Sequence, residues 1–502
     1  MSPRQQMLLA IDQGTTGSTA LVLTLEGETL GKKTVEFQQH FPKPGWVEHD
    51  AEQIWKSVEE AVSGALDAAR VAGTDIGAIG ITNQRETTLL WDRQTGKPVH
   101  RAIVWQCRRT APECDRLKAE GVEPLVRAKT GLVIDAYFSG TKIAWILDAV
   151  SGARARADRG ELAFGTIDAF LVNRLTGGVV HATDVTNASR TLLMDLQKLA
   201  WDDEMLRLFR VPASVLPKIV PSAGPIGTTR GVGFLPDGIP ITGIAGDQQA
   251  ALFGQACFGE GDAKCTYGTG AFALMNIGKV PTASKHGLIT TVAWQFARGT
   301  GGAPITYALE GSAFIAGAAV QWLRDGLGLV KNAADIEALA RQVDSTEGVA
   351  FVPALAGLGA PYWDQNARGT ITGITRGTTA AHLARATLEG IAFEVWDLLE
   401  AMTKDAGRDL TALKVDGGAS KNDLLVQFQA DVAQVSVVRP TEVESTGRGA
   451  AMLAGVGAEL SDLAAATRMV KLDRTFEPTI DTAARAAHLE RWRRAVEQTR
   501  SR

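Results

Sequence analysis

The sequence is poor in cysteine, and the few cysteines present do not form a recognisable site. Only four occur in 502 residues, with no CxxC pair and no nearby histidine partner. This pattern argues against both a zinc site and a disulfide framework. It is typical of reduced thiols, and we therefore expect a cytoplasmic protein.

Long apolar runs and long basic runs are also absent. No window contains the roughly eighteen apolar residues that a membrane-spanning helix needs, and no apolar signal-peptide core precedes Asp12. The net charge is −4. Without a basic segment, this balance argues against a surface for nucleic acid or for an anionic membrane.

Two turns rich in glycine and threonine, each between apolar strands, are the clearest motifs. The first follows the strand Leu8–Ile11 as DQGTTGS, and the second is the GTG of residues 268–270. Such turns allow close backbone approach and offer N–H and hydroxyl donors to an oxyanion. Asp12, at the end of the first strand, could hold Mg²⁺ through water. An ordinary polar hairpin explains the first turn equally well, whereas P-loop and dinucleotide motifs do not fit.

The repetition of this motif indicates how the chain is divided. A chain of 502 residues is too long for one hydrophobic core, so we expect two domains. The two hairpins suggest related halves with a nucleotide between them. We place the boundary near Gly254, which gives an N-terminal domain at 1–253 and a C-terminal domain at 254–502.

Polar residues follow two of the predicted strands. Arg85 and Glu86 come just after the strand Ile76–Thr82, and Asp247 follows an apolar strand that begins at Ile241. Ligands of open α/β sheets bind outside such strand ends, where a carboxylate could act as a general base. A solvated Arg–Glu surface pair and a helix N-cap at Asp247 are the alternatives. The residues alone do not decide between them.

Several other segments have both a functional and a purely structural interpretation. Trp105 and Tyr137 could line a pocket or simply pack in the core. Small residues predict a closely packed helix over Glu310–Leu323, and residues 187–190 predict a polar loop. A glycine turn at Gly418 could lie against a nucleotide, or serve only as a tight turn.

Taken in order, these motifs resemble the FGGY family of carbohydrate kinases over nearly the whole chain. The matching stretches include DQGTTGS, GITNQRETT, GLVIDAYFSGTKIAWILD, IAGDQQAALFGQ, TYGTGAF and VDGGA. The resemblance implies an α/β fold of two actin- and hexokinase-like (ribonuclease H-like) domains around a central ATP cleft. It further implies ATP-dependent phosphorylation of glycerol, with ATP and Mg²⁺ as cofactors.

The resemblance also assigns roles to individual residues. Asp247 would take the proton from the terminal hydroxyl of glycerol, and Asp12 would hold hydrated Mg²⁺. The glycerol pocket would be formed by Arg85, Glu86, Trp105, Tyr137, Asp247, Gln248 and Phe272. The nucleotide would be bound by Thr15, Thr16, Gly17, Thr269, Gly317, Gln321, Gly418 and Asn422.

The sequence departs from the best-known bacterial relatives at several positions, and two of them bear on ligand binding. Thr19 stands where many of them carry an arginine after the first turn, so one phosphate contact is expected to be missing. Gly238 stands where some relatives bind the inhibitor fructose 1,6-bisphosphate through an arginine. The loop 227–240 also lacks a histidine, so we expect neither this inhibition nor activation by histidine phosphorylation. Assembly as a homodimer or homotetramer follows from the resemblance alone.

Two other functions are compatible with parts of this pattern. One is an FGGY kinase for another polyol or sugar, such as dihydroxyacetone or xylulose. The other is a non-catalytic, actin-like nucleotide switch. The NQRE and AYF stretches favour glycerol, and Asp247 argues against a switch, which needs no base at an acceptor hydroxyl.

Overall fold

The structure is a computed structural model that describes residues 6–297, 305–442 and 444–501. Within these ranges the strands are β1 Met7–Gln13, β2 Gly17–Leu23, β3 Thr29–Glu36, β4 Gln39–His40, β5 Glu48–His49, β6 Ile76–Asn83, β7 Leu89–Asp92, β8 Ala102–Ile103, β9 Leu162–Gly165, β10 Ala182–Asp184, β11 Met194–Asp195, β12 Ala200–Trp201, β13 Lys218–Val220, β14 Ala223–Thr228, β15 Pro240–Gly246, β16 Asp262–Tyr267, β17 Ala271–Gly278, β18 Ile289–Gln295, β19 Ile305–Ala313, β20 Ala350–Val352, β21 Thr370–Thr372, β22 Ala412–Asp416, β23 Val437–Pro440 and β24 Leu472–Phe476.

Helices alternate with these strands along the chain. They are α1 Ala51–Ala69, α2 Ala111–Ala119, α3 Glu123–Thr130, α4 Ser139–Ala149, α5 Ala153–Asp158, α6 Ile167–Leu175, α7 Val185–Ala188, α8 Asp203–Leu208, α9 Asp247–Gly254, α10 Gly317–Asp325, α11 Asp335–Ala340, α12 Ala380–Ala406, α13 Asp423–Ala433, α14 Ser445–Gly457, α15 Leu463–Arg468 and α16 Thr482–Thr499. Short 3₁₀ turns lie at Gly73–Asp75, Ala213–Val215 and Gly418–Lys421. In the described ranges, no helix combines the length and apolar character needed to cross a membrane.

Two large mixed sheets organise the molecule. The first has the order β14-β15-β6-β1-β2-β3, and the second β18-β19-β17-β16-β22-β23-β24. In each sheet an antiparallel hairpin, β1–β2 or β16–β17, pairs through its first strand with a parallel strand, β6 or β22. The two hairpins therefore occupy equivalent places. This arrangement confirms the expected two-domain α/β fold.

Helix α1 covers one face of the first sheet, as its sequence pattern predicts. Its buried positions include Ile54, Val58, Val62 and Leu66, which recur every four residues. The Asp50 carboxylate caps the helix by accepting from the N–H groups of Glu52 and Gln53. The apolar stripe and the cap together determine where α1 begins and which face it buries.

Helix α14 joins the two halves of the chain. It belongs to the segment after Gly254, yet it packs against β1, β6 and β15 of the first sheet and against α9. A Cβ at Gly449 would collide with the Ala250 carbonyl oxygen, and one at Gly254 with the Ser445 carbonyl oxygen. Only glycine permits this approach. Gly254 thus lies in a tightly packed helix pair.

Two local predictions are wrong. The segment Glu310–Leu323 does not form one helix, because β19 continues to Ala313 and α10 begins only at Gly317. Strand β19 is paired on both sides, with β17 and β18, and this non-local pairing overrides the helical small-residue pattern. The predicted polar loop at 187–190 instead begins inside helix α7, which the Asp184 carboxylate caps.

Candidate active site

The parallel strands β1, β6 and β15 end side by side at one edge of the first sheet. Their register places Gln13 opposite Asn83, and Asn83 opposite Gly246. The residues that follow these strands are the first glycine turn, the Arg85–Glu86 pair and Asp247. The tertiary structure therefore brings three separately predicted segments to the same edge.

Arg85 is buried at this edge, so the interpretation as a solvated surface pair is wrong. Its terminal nitrogens donate to the two carboxylate oxygens of Glu310, at 2.6 and 2.9 Å. It also donates to the Tyr137 hydroxyl at 3.2 Å, and its Nε lies 3.1 Å from Asp247 Oδ1. Burial acts to lower the pKa of Arg85, but Glu310, together with Tyr137, Glu86 and Asp247, outweighs it and raises that pKa well above its usual value.

Arg85 and three other charged side chains form a buried cluster. Arg190 donates from Nε to Glu86 Oε1 at 2.7 Å and from a terminal nitrogen to Glu310 Oε1 at 3.1 Å. Burial raises the pKa of Glu86, although Arg85 and Arg190 oppose the shift. Burial also acts to raise the pKa of Glu310, but Arg190 and Arg85 lower it to about 2. The cluster of Arg85, Glu86, Arg190 and Glu310 is balanced in charge, as buried ions require.

The backbone at Glu86 is held in an uncommon conformation. Its φ is 60°, in the left-handed region that non-glycine residues seldom adopt. The Glu86 carbonyl oxygen accepts from Ser139 Oγ at 3.1 Å and from Thr88 Oγ1 at 3.0 Å. These hydrogen bonds stabilise the turn after β6, and such strain is typical of functional sites.

Asp247 is the first residue of α9, and Gly246 rather than Asp247 is the N-cap residue. The N-cap interpretation of its carboxylate is therefore wrong. Its Oδ1 accepts from the Gln248 N–H at 2.7 Å and faces Arg85. The side chain is 33% exposed. Unlike the buried cluster beside it, this carboxylate can be reached from the edge of the sheet.

A buried lysine reaches the same region from the second sheet. Lys264, on β16, donates from Nζ to Thr266 Oγ1 at 2.9 Å and to the side-chain oxygen of Gln248. Burial lowers the pKa of Lys264, and the nearby Asp416 carboxylate opposes that shift. Phe272 lies opposite Thr266 in the β16–β17 register. The predicted pocket residues Gln248 and Phe272 are thus linked through β16.

Two aromatic rings connect Arg85 to the first glycine turn. The Trp105 indole N–H donates to Thr15 Oγ1 at 3.0 Å. Its ring meets that of Tyr137 edge to face, with centroids 5.6 Å apart. Since the Tyr137 hydroxyl accepts from Arg85, the predicted apolar wall and the predicted polar contact adjoin one another.

Amide side chains form hydrogen bonds with the backbone of the first glycine turn. The Gln84 side-chain amide donates to the Gly14 carbonyl at 3.2 Å, and that of Gln39 donates to the Thr15 carbonyl at 2.8 Å. His49 lies between these amides, 3.2 Å from Gln84 and 2.5 Å from Gln39. Burial lowers the pKa of His49 to about 4, so the imidazole is neutral near neutral pH. These hydrogen bonds hold the carbonyl groups of Gly14 and Thr15, at the start of the turn that contains Thr16 and Gly17.

The second glycine turn is supported by the start of α10. The Gly317 N–H donates to the Gly268 carbonyl at 2.9 Å, and the Ala316 N–H to the Thr269 carbonyl at 2.8 Å. A Cβ at Gly317 would lie 2.7 Å from the Gly268 oxygen. Thr269 and Gln321 are both exposed beside this contact. Three of the predicted nucleotide residues are thus grouped at one turn.

The glycine turn after β22 lies beside this second turn. Gly417 has φ 85° and packs against the Tyr267 backbone. Gly418 is exposed, and a Cβ there would meet no atom within 4 Å. The Asn422 side chain caps α13 by accepting from the Leu425 N–H at 2.9 Å. The structure therefore gives Asn422 a structural role beside the predicted nucleotide role.

Asp12 lies at the end of β1, close to other carboxylates. Burial, together with Asp247 and Glu444, raises the pKa of Asp12 to about 7. Among the described residues, no cluster of three or more histidine, cysteine or acidic side chains could hold a metal ion. The donor set suits a cation that keeps most of its water, as Mg²⁺ does, and does not suit a cage made wholly of protein ligands.

Sequence reasoning missed Arg190, Lys264 and Glu310. Lys264 and Glu310 stand within largely apolar strands, DAKCTY and ITYALEGSA. A charged residue in a buried strand must be paired, so a charge within an apolar strand could have indicated a buried ion pair. The sequence does not identify the partner of Glu310, because Arg85 is 225 positions away.

Comparisons with known proteins agree along the whole chain. The models for the N-terminal and C-terminal domains of the FGGY family of carbohydrate kinases match residues 7–254 and 263–458. A curated glycerol kinase of Myxococcus xanthus is 58% identical over 497 residues, covering 99% of this chain and 100% of that protein. The glycerol kinase of Deinococcus radiodurans is 56% identical, with coverage of 99% and 98%.

Solved structures give the same result. The crystal structure of Plasmodium falciparum glycerol kinase with ADP is similar with a TM-score of 0.93 and 37% identity, covering 99% of both chains. A xylulose kinase from Rhodospirillum rubrum has a TM-score of 0.84 at 22% identity, covering 98% of both chains. The second likeness supports the fold alone.

Proposed function

The chain belongs to the FGGY family of carbohydrate kinases, and from that premise we propose that it phosphorylates glycerol with ATP. The products are sn-glycerol 3-phosphate and ADP. The observation that carries the proposal is the meeting of the Arg85 cluster, Asp247 and the first glycine turn at one sheet edge. The glycerol kinases to which the chain is similar support the choice of acceptor.

Glycerol binds where polar and aromatic side chains adjoin. Arg85 and Glu86 recognise hydroxyl groups, while Trp105, Tyr137 and Phe272 cover the carbon edge. The buried guanidinium of Arg85 is already oriented by its hydrogen bonds, so little side-chain entropy is lost when substrate binds. Gln248, held by Lys264, supplies a further polar contact.

Asp247 acts as the general base. An alcohol is a poor nucleophile near neutral pH, and a carboxylate beside the hydroxyl assists the loss of its proton. The side chain is fixed by the Gln248 N–H at 2.7 Å and remains partly exposed toward the edge of the sheet. It can therefore receive a proton from a bound hydroxyl without rearrangement.

The two glycine turns hold the phosphates of the nucleotide. Thr15, Thr16 and Gly17 form the first site, and Thr269 with Gly317 the second. Gln321, Gly418 and Asn422 line the remainder of the nucleotide site. Asp12 holds Mg²⁺ through water. When bound, that ion spreads the charge that develops on the transferred phosphoryl group.

The domain division and the cellular setting complete the proposal. The segment 1–253 carries the glycerol site and the first phosphate turn, and 254–502 carries the nucleotide site. We place the enzyme in the cytoplasm, as a homodimer or homotetramer. The cysteine pattern supports the first assignment, and family likeness supports the second.

The test is ADP release from Mg-ATP by the purified protein, with glycerol compared against dihydroxyacetone, xylulose and other polyols. We expect glycerol to give the dominant rate and sn-glycerol 3-phosphate to be the product. A larger rate with another polyol would contradict the assignment of the pocket and leave the Asp247 assignment intact. Turnover that no polyol stimulates would favour the nucleotide switch.

A further inference from the structure

Glu310 connects the second sheet to the proposed glycerol pocket. It lies on β19, whereas the two arginines that it binds come from the first half of the chain. Its side chain is 3% exposed. One oxygen accepts from Arg85 at 2.6 Å, and the other accepts from Arg85 at 2.9 Å and from Arg190 at 3.1 Å.

This contact determines the plane of the Arg85 guanidinium. Two parallel hydrogen bonds between a carboxylate and a guanidinium set its orientation as well as its position. In that orientation the Nε of Arg85 lies 3.1 Å from Asp247, and a terminal nitrogen lies 3.2 Å from the Tyr137 hydroxyl. Gln249 accepts a further, longer hydrogen bond from Arg85 at 3.3 Å. Glu310 is thus the main anchor of this side chain.

Removal of the Glu310 charge would leave Arg85 with fewer carboxylate partners. The carboxylates that remain near Arg85 are Asp247, at 3.1 Å, and Glu86, at 3.8 Å. Glu86 is already bound by Arg190 at 2.7 Å. The terminal nitrogens of Arg85 would lose their carboxylate partner, and the guanidinium would turn about its existing contact with Asp247, because a buried cation needs a partner.

We propose that Glu310 is a positioning residue for substrate recognition, which holds the plane of the Arg85 guanidinium so that Nε faces Asp247 and a terminal nitrogen faces the Tyr137 hydroxyl, the orientation that meets a substrate hydroxyl. The inference rests on the proposed function, since it assigns the orientation of the same pocket. Glu310 itself does not touch the substrate. The second sheet thereby contributes to acceptor recognition as well as to nucleotide binding.

The first test compares Glu310→Gln with wild type. Glutamine keeps the size and loses the charge, so we expect KM for glycerol to rise about 10- to 100-fold, the range for losing a charge-assisted hydrogen bond. KM for ATP should stay within about twofold, since the hydrogen bonds that the Glu310 side chain makes within the described residues go to Arg85 and Arg190. Glu310→Asp keeps the charge and should recover part of the loss. An unchanged KM for glycerol in Glu310→Gln would overturn the proposal.

Glu48→Gln is the matched control. Glu48 forms a comparable buried ion pair with Arg109, at 2.7 Å, and otherwise faces His100. Neither partner belongs to the proposed pocket. We expect this variant to lower Tm and leave both KM values within about twofold of wild type. A rise in glycerol KM equal to that of Glu310→Gln would show a general effect of buried charge loss and overturn the proposal.

A double-mutant cycle tests whether Glu310 acts through Arg85. In an Arg85→Gln background, Glu310→Gln should change kcat/KM for glycerol by less than about twofold, because its target is already gone. Independent, multiplicative effects would overturn the proposal. If Glu310→Gln does not fold, Glu310→Asp completes the same cycle.

The wild-type assay separates the two claims. Absence of glycerol turnover in wild type contradicts the proposed function, and the cycle is then measured with the polyol that the enzyme does accept. Normal wild-type turnover together with a wild-type-like Glu310→Gln contradicts only the positioning role.

Discussion

Replacing Asp247 with asparagine would remove the proposed base while keeping its surroundings. Asparagine retains Oδ1, so it can still accept from the Gln248 N–H, now at 2.7 Å, and can keep its place beside Arg85 Nε, now 3.1 Å away. The loss is then confined to proton acceptance. General-base catalysis is worth about 10²- to 10⁴-fold, so kcat should fall by that factor, about 3 to 5 kcal/mol of barrier. KM for glycerol should change less than about threefold.

The assay is steady-state ADP release at saturating Mg-ATP, with glycerol varied and Tm recorded for each variant. Asp203→Asn is the matched control, because Asp203 is also the first residue of a helix and is exposed. Its kcat should stay within about twofold of wild type. Near-normal turnover in Asp247→Asn would refute the general-base assignment. A raised KM with unchanged kcat would assign Asp247 to binding alone.

Three further predictions concern the phosphate turns and regulation. Gly317→Ala should raise KM for ATP about tenfold and leave KM for glycerol unchanged, because its Cβ would lie 2.7 Å from the Gly268 oxygen; titration of both substrates checks this. Burial lowers the pKa of His49 from 6.5 to about 4, so the unfolded state binds the extra proton between those values and stability falls as the pH drops through that window. At pH 5 the protonation of His49 in the unfolded state lowers the free energy of unfolding by about 2 kcal/mol. His49→Gln should therefore show a smaller fall in Tm between pH 7 and pH 5 than wild type does. Fructose 1,6-bisphosphate should not inhibit, since Gly238 offers no side chain to bind it and has φ 93°; strong inhibition that maps to this loop would contradict the expectation.

The elements that sequence reasoning predicted well are those with a strong local pattern. Helix α1 has an apolar residue every fourth position and a capping aspartate at Asp50, and both signals lie within a few residues of one another. The glycine turn after β1 and the strand-to-helix junction at Asp247 are equally local. The segment Glu310–Leu323 failed because its strand is defined by pairing with β17 and β18. Local small-residue spacing carries no information about those partners.

Short motifs were sufficient to assign the family, the α/β class and most of the side chains proposed to act on substrate. These conclusions depend only on the residues of each motif and on the order of the motifs along the chain. The motifs left open whether Arg85 and Glu86 were solvated, and whether Asp247 was only a helix cap.

Contacts between distant parts of the chain answer both questions. The fold buries Arg85 beside Glu310, a residue 225 positions away, and makes Gly246 the N-cap so that the Asp247 carboxylate faces Arg85 and the edge of the sheet. Charge pairing and desolvation depend on distance in space. Neighbours along the chain therefore do not reveal which ions share a buried cluster.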